Sequence, residues 1–531
     1  METVFEALSQ TARRWLPRLL TQACRDTTSP QQGSFDRDWW HYRIRDFSSI
    51  ILQQGGYAIY LAAQRAENEQ ARTAMQNLAA AAGRFWNQRA GQHGAFEEYY
   101  PWEQGYPPLA FSTLAVRKLA AAGVIPPAEL RAGATVAASQ LLARFESQAA
   151  NQQVAGLAGL AWCRKIYPEL VPGDQFETLI QKSLALQTGE GWFEEYGGPD
   201  LGYLSVTLDC LWDLFDATGD QRFLTALERS LACIQRFAIF PAGTIGMHNS
   251  RNTDYLVPYG LVRLALHNPE PATLALVHRL FANAASPEHF FGAVDDRYVS
   301  HYIGQSLFRA VLLLEQWPQK PAIPPLPAPS AGEATTASGH FIRQTAAGHN
   351  TLVTLRKGGI LSHHAGEACL HDFGWVIKAN STLHITHWWS DVWQHGRTGR
   401  QVWVAGTLFQ HREVANTPAR HLALRLASRI AGNRLIARLK NKLIFAKAPS
   451  PIQFRRTIEW QGDEIRVVDV FSQVPVTAEF LPAPRSSKRH VASADSFHPQ
   501  DVQLTAGYAL DRKFNRSAGG MEIISTYRPL V

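Results

Sequence analysis

A chain of 531 residues exceeds the roughly 100–200 residues of a typical domain, so at least two independent cores are expected. With 46% apolar and 18% charged residues, the composition excludes a disordered chain or a coiled coil. The 52 Lys and Arg against 45 Asp and Glu leave a net charge of +7, which favours anionic ligands, but the basic residues are dispersed. Arg455-Arg456 and the stretch Arg485 to Arg489 cluster in the C-terminal part, but a nucleic-acid partner is not expected from so dispersed a set.

The N-terminus, Met1-Glu-Thr-Val-Phe-Glu, lacks the basic and apolar regions of a leader peptide, and Arg13, Arg14 and Arg18 punctuate the helix that follows. No apolar run approaches the roughly 20 residues that span a bilayer, so no membrane partner is expected. The cytoplasm is the default location, or the periplasm or exterior if the chain is processed. From residue 1 to 317 the pattern is helical, with Leu109 to Ala122, Val136 to Phe145 and Leu204 to Phe215 showing 3.6-residue spacing between Gly/Pro loops. Within it, Gly94-Ala-Phe-Glu-Glu-Tyr99 recurs as Gly191-Trp-Phe-Glu-Glu-Tyr196, and Gly105-Tyr106 as Gly202-Tyr203, both at an offset of 97. A weaker third copy runs through Arg297-Tyr-Val-Ser-His-Tyr302 into a helix from Ile303 to Leu314. Repeats that cannot bury their faces alone must stack, and stacked helix pairs closed into a ring give an (α/α) toroid.

Residues 318–339 are rich in Pro, Ala and Ser and read as a linker. Residues 340–531 change to short alternating runs, such as Asn350 to Arg356, Gly374 to Ile377, Gln401 to Ala405, Arg456 to Trp460 and Glu464 to Val470. These predict an antiparallel β-sandwich. Helices first and strands second make an α+β multidomain chain. The five cysteines, Cys24, Cys163, Cys210, Cys233 and Cys369, are odd in number and lack a CxxC, so reduced thiols are expected.

The many aromatic residues, 11% of the chain, suit clefts in which sugar rings stack. Breaking a uronate glycan by β-elimination requires the carboxylate to be neutralised before the neighbouring proton can leave. It then requires a base for that proton and an acid for the departing glycosidic oxygen. Asn or Arg, Tyr and His in one cleft supply these parts. Asn151-Gln152-Gln-Val-Ala-Gly, then Glu194-Glu195-Tyr196-Gly-Gly-Pro-Asp-Leu-Gly-Tyr203, 52 residues after Asn151, and then Gly358-Gly-Ile-Leu-Ser-His363-His364-Ala-Gly-Glu with Asp372-Phe-Gly-Trp375 follow in order. Together they resemble the heparinase II/III-like polysaccharide lyases, relatives of the oligoalginate and heparin lyases. The family commonly has His-Gly-His-Ala-Asp where this chain has Ser-His-His-Ala-Gly-Glu.

The resemblance implies a lyase acting on an acidic polysaccharide, with Asn151 holding the substrate carboxylate, Tyr203 as acid or acid/base, and His363 or His364 as second base. Only one of these two histidines can face the cleft, because neighbouring strand residues point to opposite faces. Gln152, Glu194, Glu195 and Tyr196 fall in the same loops as substrate-binding candidates. The loop Met247-His248-Asn-Ser-Arg251-Asn252-Thr-Asp-Tyr255 adds four more, and the third repeat copy adds His301 and Tyr302. Each has a plainer reading: Asn151 as a helix cap, Tyr203 as a packing residue repeated from Tyr106, the 247–255 loop as a well-capped turn.

No cofactor is expected. His363, His364, His371, His384 and His387, with Glu367 and Asp372, leave room for a structural zinc in the C-terminal domain, although no tight zinc spacing is present. Two other functions compete. One is a glycoside hydrolase using two of Glu97, Glu98, Glu194, Glu195 and Asp200. The other is a non-catalytic glycan-binding or polysaccharide-assembly protein on the same scaffold.

Overall fold

The computed structural model describes residues 1–94, 96–241, 243–317, 319–323, 331–379, 381–411, 417–440, 448–484 and 504–530. The helices Gly55–Ala63, Tyr106–Ala121, Ala150–Ile166, Leu201–Thr218, Pro258–His267 and Tyr302–Glu315 pack each on the next, and the last returns to the first. They are the inner ring of an (α/α) toroid. Their composition explains the position: Tyr106–Ala121 and Leu201–Thr218 are buried on nearly every side, as helices apolar all round must be. The outer ring includes Glu69–His93, Arg131–Ala143, Gly173–Leu184, Gln221–Phe237 and Pro271–Phe281. Gln221–Phe237 shows its amphipathic logic, burying Phe223, Leu227, Ile234 and Phe237.

One charged network is locked inside the ring. Asp213 receives Lys118 at 2.5 Å and both guanidinium nitrogens of Arg309, at 2.8 and 3.1 Å, which ties three inner helices together. The Arg309 guanidinium lies 3.5 Å over the Tyr259 ring, bringing in a fourth.

The C-terminal region is an antiparallel β-sandwich. Its strands in chain order are β1 (Gly332–Thr335), β2 (His340–Gln344), β3 (Asn350–Thr354), β4 (Ile360–Ala365), β5 (Ala368–Asp372), β6 (Trp375–Ala379), β7 (Thr382–Ile385) and β8 (Gln394–Thr398). Then follow β9 (Gln401–His411), β10 (Ala448–Gln461), β11 (Glu464–Ser472), β12 (Glu479–Pro482), β13 (Thr505–Ala506), β14 (Tyr508–Ser517) and β15 (Gly520–Pro529). One sheet runs β1-β2-β3-β4-β5-β13. The other runs β12-β6-β7-β9-β10-β11-β15-β14, with β8 paired to β9. Between the sheets, Arg456 holds Asp469 and Asp372, while Trp375 donates to Asp469 and Tyr527 to Asp372. Among the described residues no helix is long and apolar enough to cross a membrane.

Two sequence expectations need correction. The segment read as linker is built into the fold at its end, because Gly332–Thr335 pairs with Phe341–Gln344 as strand β1; residues 318 and 324–330 lie outside the described residues. The C-terminal region is also not purely strands, since helices Pro418–Ala431 and Asn433–Lys440 are inserted between β9 and β10. Their run of Ala, Leu and Arg has helical propensity, and Pro418 sits at the first helical turn after the Thr417 cap.

Replacing Asp213 with Asn removes the ion-pair partner shared by buried Lys118 and Arg309. The expected cost is about 3–5 kcal/mol, read as a lower midpoint of chemical denaturation. A loss below about 1 kcal/mol would mean that the network does not hold the ring.

Candidate active site

The toroid loops that open toward the sandwich carry the candidate residues. Asp200 caps the helix Leu201–Thr218, its Oδ1 accepting from the Tyr203 amide at 3.0 Å, and its Oδ2 accepts from the amides of Arg251 and Thr253. A single carboxylate thus fixes Tyr203 and Arg251 relative to each other. Gly202 is required at the crossing, because a β-carbon there would meet the Thr253 side chain at 2.1 Å. The Arg251 side chain hydrogen-bonds Tyr203 and lies 4.3 Å over the Tyr196 ring. Burial pushes Arg251 toward its neutral form, but Tyr203, Tyr196 and Asp200 outweigh this and raise its pKa, so it stays a cation.

Asn151 opens the helix Ala150–Ile166, and its amide donates to Glu195 Oε1 at 2.7 Å. No described group hydrogen-bonds its carboxamide. Glu195 is 1% exposed, its Oε2 has no partner among the described residues, and burial raises its pKa well above the carboxylate range. Burial thus favours its neutral form. Gln152 reaches the Tyr196 hydroxyl at 3.4 Å. Tyr196 and Asn252 both stand at positive φ, 56° and 60°, a conformation that costs energy for residues with side chains.

The sandwich fastens these loops. Buried Lys357, in the short turn after β3, donates to the carbonyls of Met247 and Asn249 at 2.7 Å each and to Asn252 Oδ1. Trp389 donates to the Gly197 carbonyl at 2.7 Å, and its ring lies so close that a β-carbon on Gly198 would sit 2.2 Å from it. Glu190 accepts from the amides of Ala337 and Ser338.

The structure therefore brings together Asn151, Gln152, Glu195, Tyr196, Tyr203 and Arg251, with Asn252 held beside them by Lys357. Glu194 is adjacent, but its carboxylate closes the turn to the Gly197 amide at 2.6 Å. The repeat has diverged in its partners: Tyr106, the counterpart of Tyr203, donates to Gln153 at 2.9 Å, and Arg144 lies 5.3 Å over its ring.

Other candidates are drawn elsewhere. His248 lies buried with Nδ1 2.7 Å from Thr354 Oγ1 and Nε2 2.8 Å from Ser362 Oγ, which pins the two regions together and occupies both ring nitrogens. Tyr255 and Tyr302 pair hydroxyl to hydroxyl at 2.7 Å and pack on Phe290 and Phe111. His301 is buried against Tyr298 and Tyr302. These four are packing or interface residues.

Strand register separates the two histidines. Ile360, Ser362 and His364 of β4 share the face of Leu352 and Thr354 that meets the toroid, and His364 packs on Phe240 and His371. His363 points between the sheets, bonded to Thr351 at 2.8 Å and beside Tyr508. His364 lines a cavity of about 690 Å³ between toroid and sandwich, with Phe240, His248, Arg279, His371 and Phe373, rather than contacting Tyr203. Sequence reading missed Lys357 and Trp389, which no motif marks. The zinc candidates disperse: Asp372 is held by Arg456 and His371 by Ser362, and no group of three metal-binding side chains gathers among the described residues.

No family model and no curated protein matches this sequence. Among solved structures, a chondroitin AC lyase from Streptomyces coelicolor A3, in complex with chondroitin sulphate, aligns with 98% of this chain and 77% of its own. The identity is 10% and the TM-score 0.47. A heparinase III aligns with 97% of this chain and 93% of its own, at 9% identity and a TM-score of 0.43. An unsaturated glucuronyl hydrolase specific for heparin aligns with 59% of this chain and 98% of its own, at 11% identity and a TM-score of 0.39.

Burial lowers His340, His364 and His371 to about 4 and His363 and His387 to about 3, against an ordinary value of 6.5. The unfolded chain takes up these protons at higher pH than the folded one, so stability is full above 6.5 and falls as pH drops toward 4. The melting temperature is expected to decline across that window, and a flat profile would contradict the neutral buried imidazoles.

Proposed function

We propose that this protein is a polysaccharide lyase that breaks an acidic, uronate-containing glycan by β-elimination at the Asn151–Tyr203–Arg251 cluster. The observation that carries the reading is the hydrogen bond between the Arg251 side chain and Tyr203, with Asn151, whose carboxamide no described protein group engages, opening the neighbouring inner helix.

In the reaction the C5–H bond and the C4–O bond of the uronate break and a C4=C5 double bond forms. The Asn151 carboxamide donates hydrogen bonds, which suits it to a substrate carboxylate and to the charge that grows on it as the proton leaves, while Glu195 holds the Asn151 backbone amide in place. Tyr203 takes the C5 proton, with the Arg251 cation stabilising the negative charge on the phenolic oxygen, and returns a proton to the departing oxygen. His363 and His364 are engaged elsewhere, so Tyr203 serves as base and acid in turn. Tyr196 and Gln152 form the wall beside it.

The hydrolase reading rests on one observation, the unpartnered Oε2 of Glu195. Against it, Glu97, Glu194 and Asp200 spend their carboxylates on backbone amides, and Glu98 pairs with Arg297. Acidic polysaccharides incubated with the protein are expected to gain ultraviolet absorbance and reducing ends together. Reducing ends without absorbance would transfer the chemistry to Glu195 and hydrolysis. Tyr203→Phe is expected to lower turnover roughly a thousandfold with oligosaccharide binding retained. Unchanged turnover would remove Tyr203 from the mechanism.

A further inference from the structure

The inserted helix Pro418–Ala431 sits on the protein the wrong way round for an ordinary surface helix. Its polar side docks on the toroid: Ser428 is buried and donates to the Pro101 carbonyl at 3.0 Å, Arg425 pairs with Asp46, and Arg429 lies over the Trp102 ring. Its apolar side faces solvent. Leu422, Leu426 and Ile430, spaced i, i+4 and i+8 on one face, are 60%, 55% and 87% exposed. A surface helix normally turns such a stripe to the core, where each large aliphatic contributes about 1.5–3 kcal/mol on burial. Three in a row left outward mark a surface that something covers.

Charge identifies the occupant. Residues 417–440 contain Arg420, Arg425, Arg429, Arg434, Arg438 and Lys440 and not one Asp or Glu. Arg434 and Arg438 stand exposed on the second helix, which continues from the first after Gly432. An exposed aliphatic stripe followed along the chain by exposed Arg434 and Arg438, with no carboxylate in the insertion, suits an interface that is apolar below and negatively charged above. We propose that the helices Pro418–Ala431 and Asn433–Lys440 seat this protein on an anionic lipid surface, as a peripheral contact and not a membrane span. The stripe enters the acyl boundary and the Arg434 and Arg438 guanidinium groups meet the headgroup phosphates.

The test is co-sedimentation of the full chain with vesicles of phosphatidylcholine, alone or with about one third phosphatidylglycerol. Binding is expected to the anionic vesicles, to weaken as salt rises, and to be negligible with phosphatidylcholine alone. Replacing Leu422, Leu426 and Ile430 together with Ser is expected to lower partitioning at least roughly a hundredfold, and Arg434→Glu with Arg438→Glu roughly tenfold. All five positions are exposed, so the variants are expected to melt like the parent. Absence of binding to anionic vesicles, or binding unchanged in the triple variant, would overturn the proposal. So would a concentration-dependent dimer in ultracentrifugation that the triple variant abolishes, which would give the stripe to a second copy of the chain. None of these readouts depends on glycan chemistry, so the lipid contact and the lyase reading stand or fall separately.

Discussion

The Lys357 ammonium is the point on which the geometry of the candidate site depends. A buried cation must find acceptors, and this one takes two carbonyls and a carboxamide from the Met247–Asn252 turn of the toroid. That turn carries Arg251, and Asn252 adopts positive φ within it. The strain at Asn252 is sustained by the hydrogen bond its side chain makes to Lys357. A residue of the sandwich thereby helps to set how a toroid guanidinium approaches a toroid phenol.

The remaining charge is distributed in the same spirit. Each core keeps its own ionic lock, Asp213 with Lys118 and Arg309 in the toroid and Arg456 with Asp372 and Asp469 in the sandwich. The seam between them mixes charged and neutral partners: Lys357 and Glu190 each meet backbone groups across it, beside His248 with Thr354 and Ser362, His340 with the His248 carbonyl, and Trp389 with the Gly197 carbonyl. Buried hydrogen bonds are little screened by salt, so the seam holds at ionic strengths that would weaken an anionic ligand's attraction to the protein surface. Acid acts on the seam differently, by protonating imidazoles that have no room for charge.

Much of this was legible in the sequence, for identifiable reasons. The 97-residue repeat reports helix pairs that must stack, and the toroid follows from it. Asn151 and Tyr203 open neighbouring inner helices, so their spacing of 52 residues, about one helix pair, places them side by side. Arg251 stands just before the next inner helix, by the same logic. The histidines were not legible, because a one-residue choice of register sends His363 between the sheets and His364 toward Phe240. Tyr255 and Tyr302 follow the periodicity of the repeat, which marks packing as readily as chemistry. Lys357 carries no signal at all, being a lysine in a turn whose partners lie about a hundred residues away. The 418–440 insertion was hidden by its setting among strands.

The central claim is that a uronate sits with its carboxylate at Asn151 and its C5 proton facing the Tyr203 hydroxyl. The most direct measurement is a crystal structure of the Tyr203→Phe variant soaked with an acidic oligosaccharide that the native protein cleaves. In that structure the carboxylate is expected within hydrogen-bond reach of the Asn151 carboxamide, with C5 over the edge of the substituted ring where the hydroxyl had been. A sugar bound instead in the cavity between Phe240 and His364, leaving Asn151 and Arg251 untouched, would contradict it.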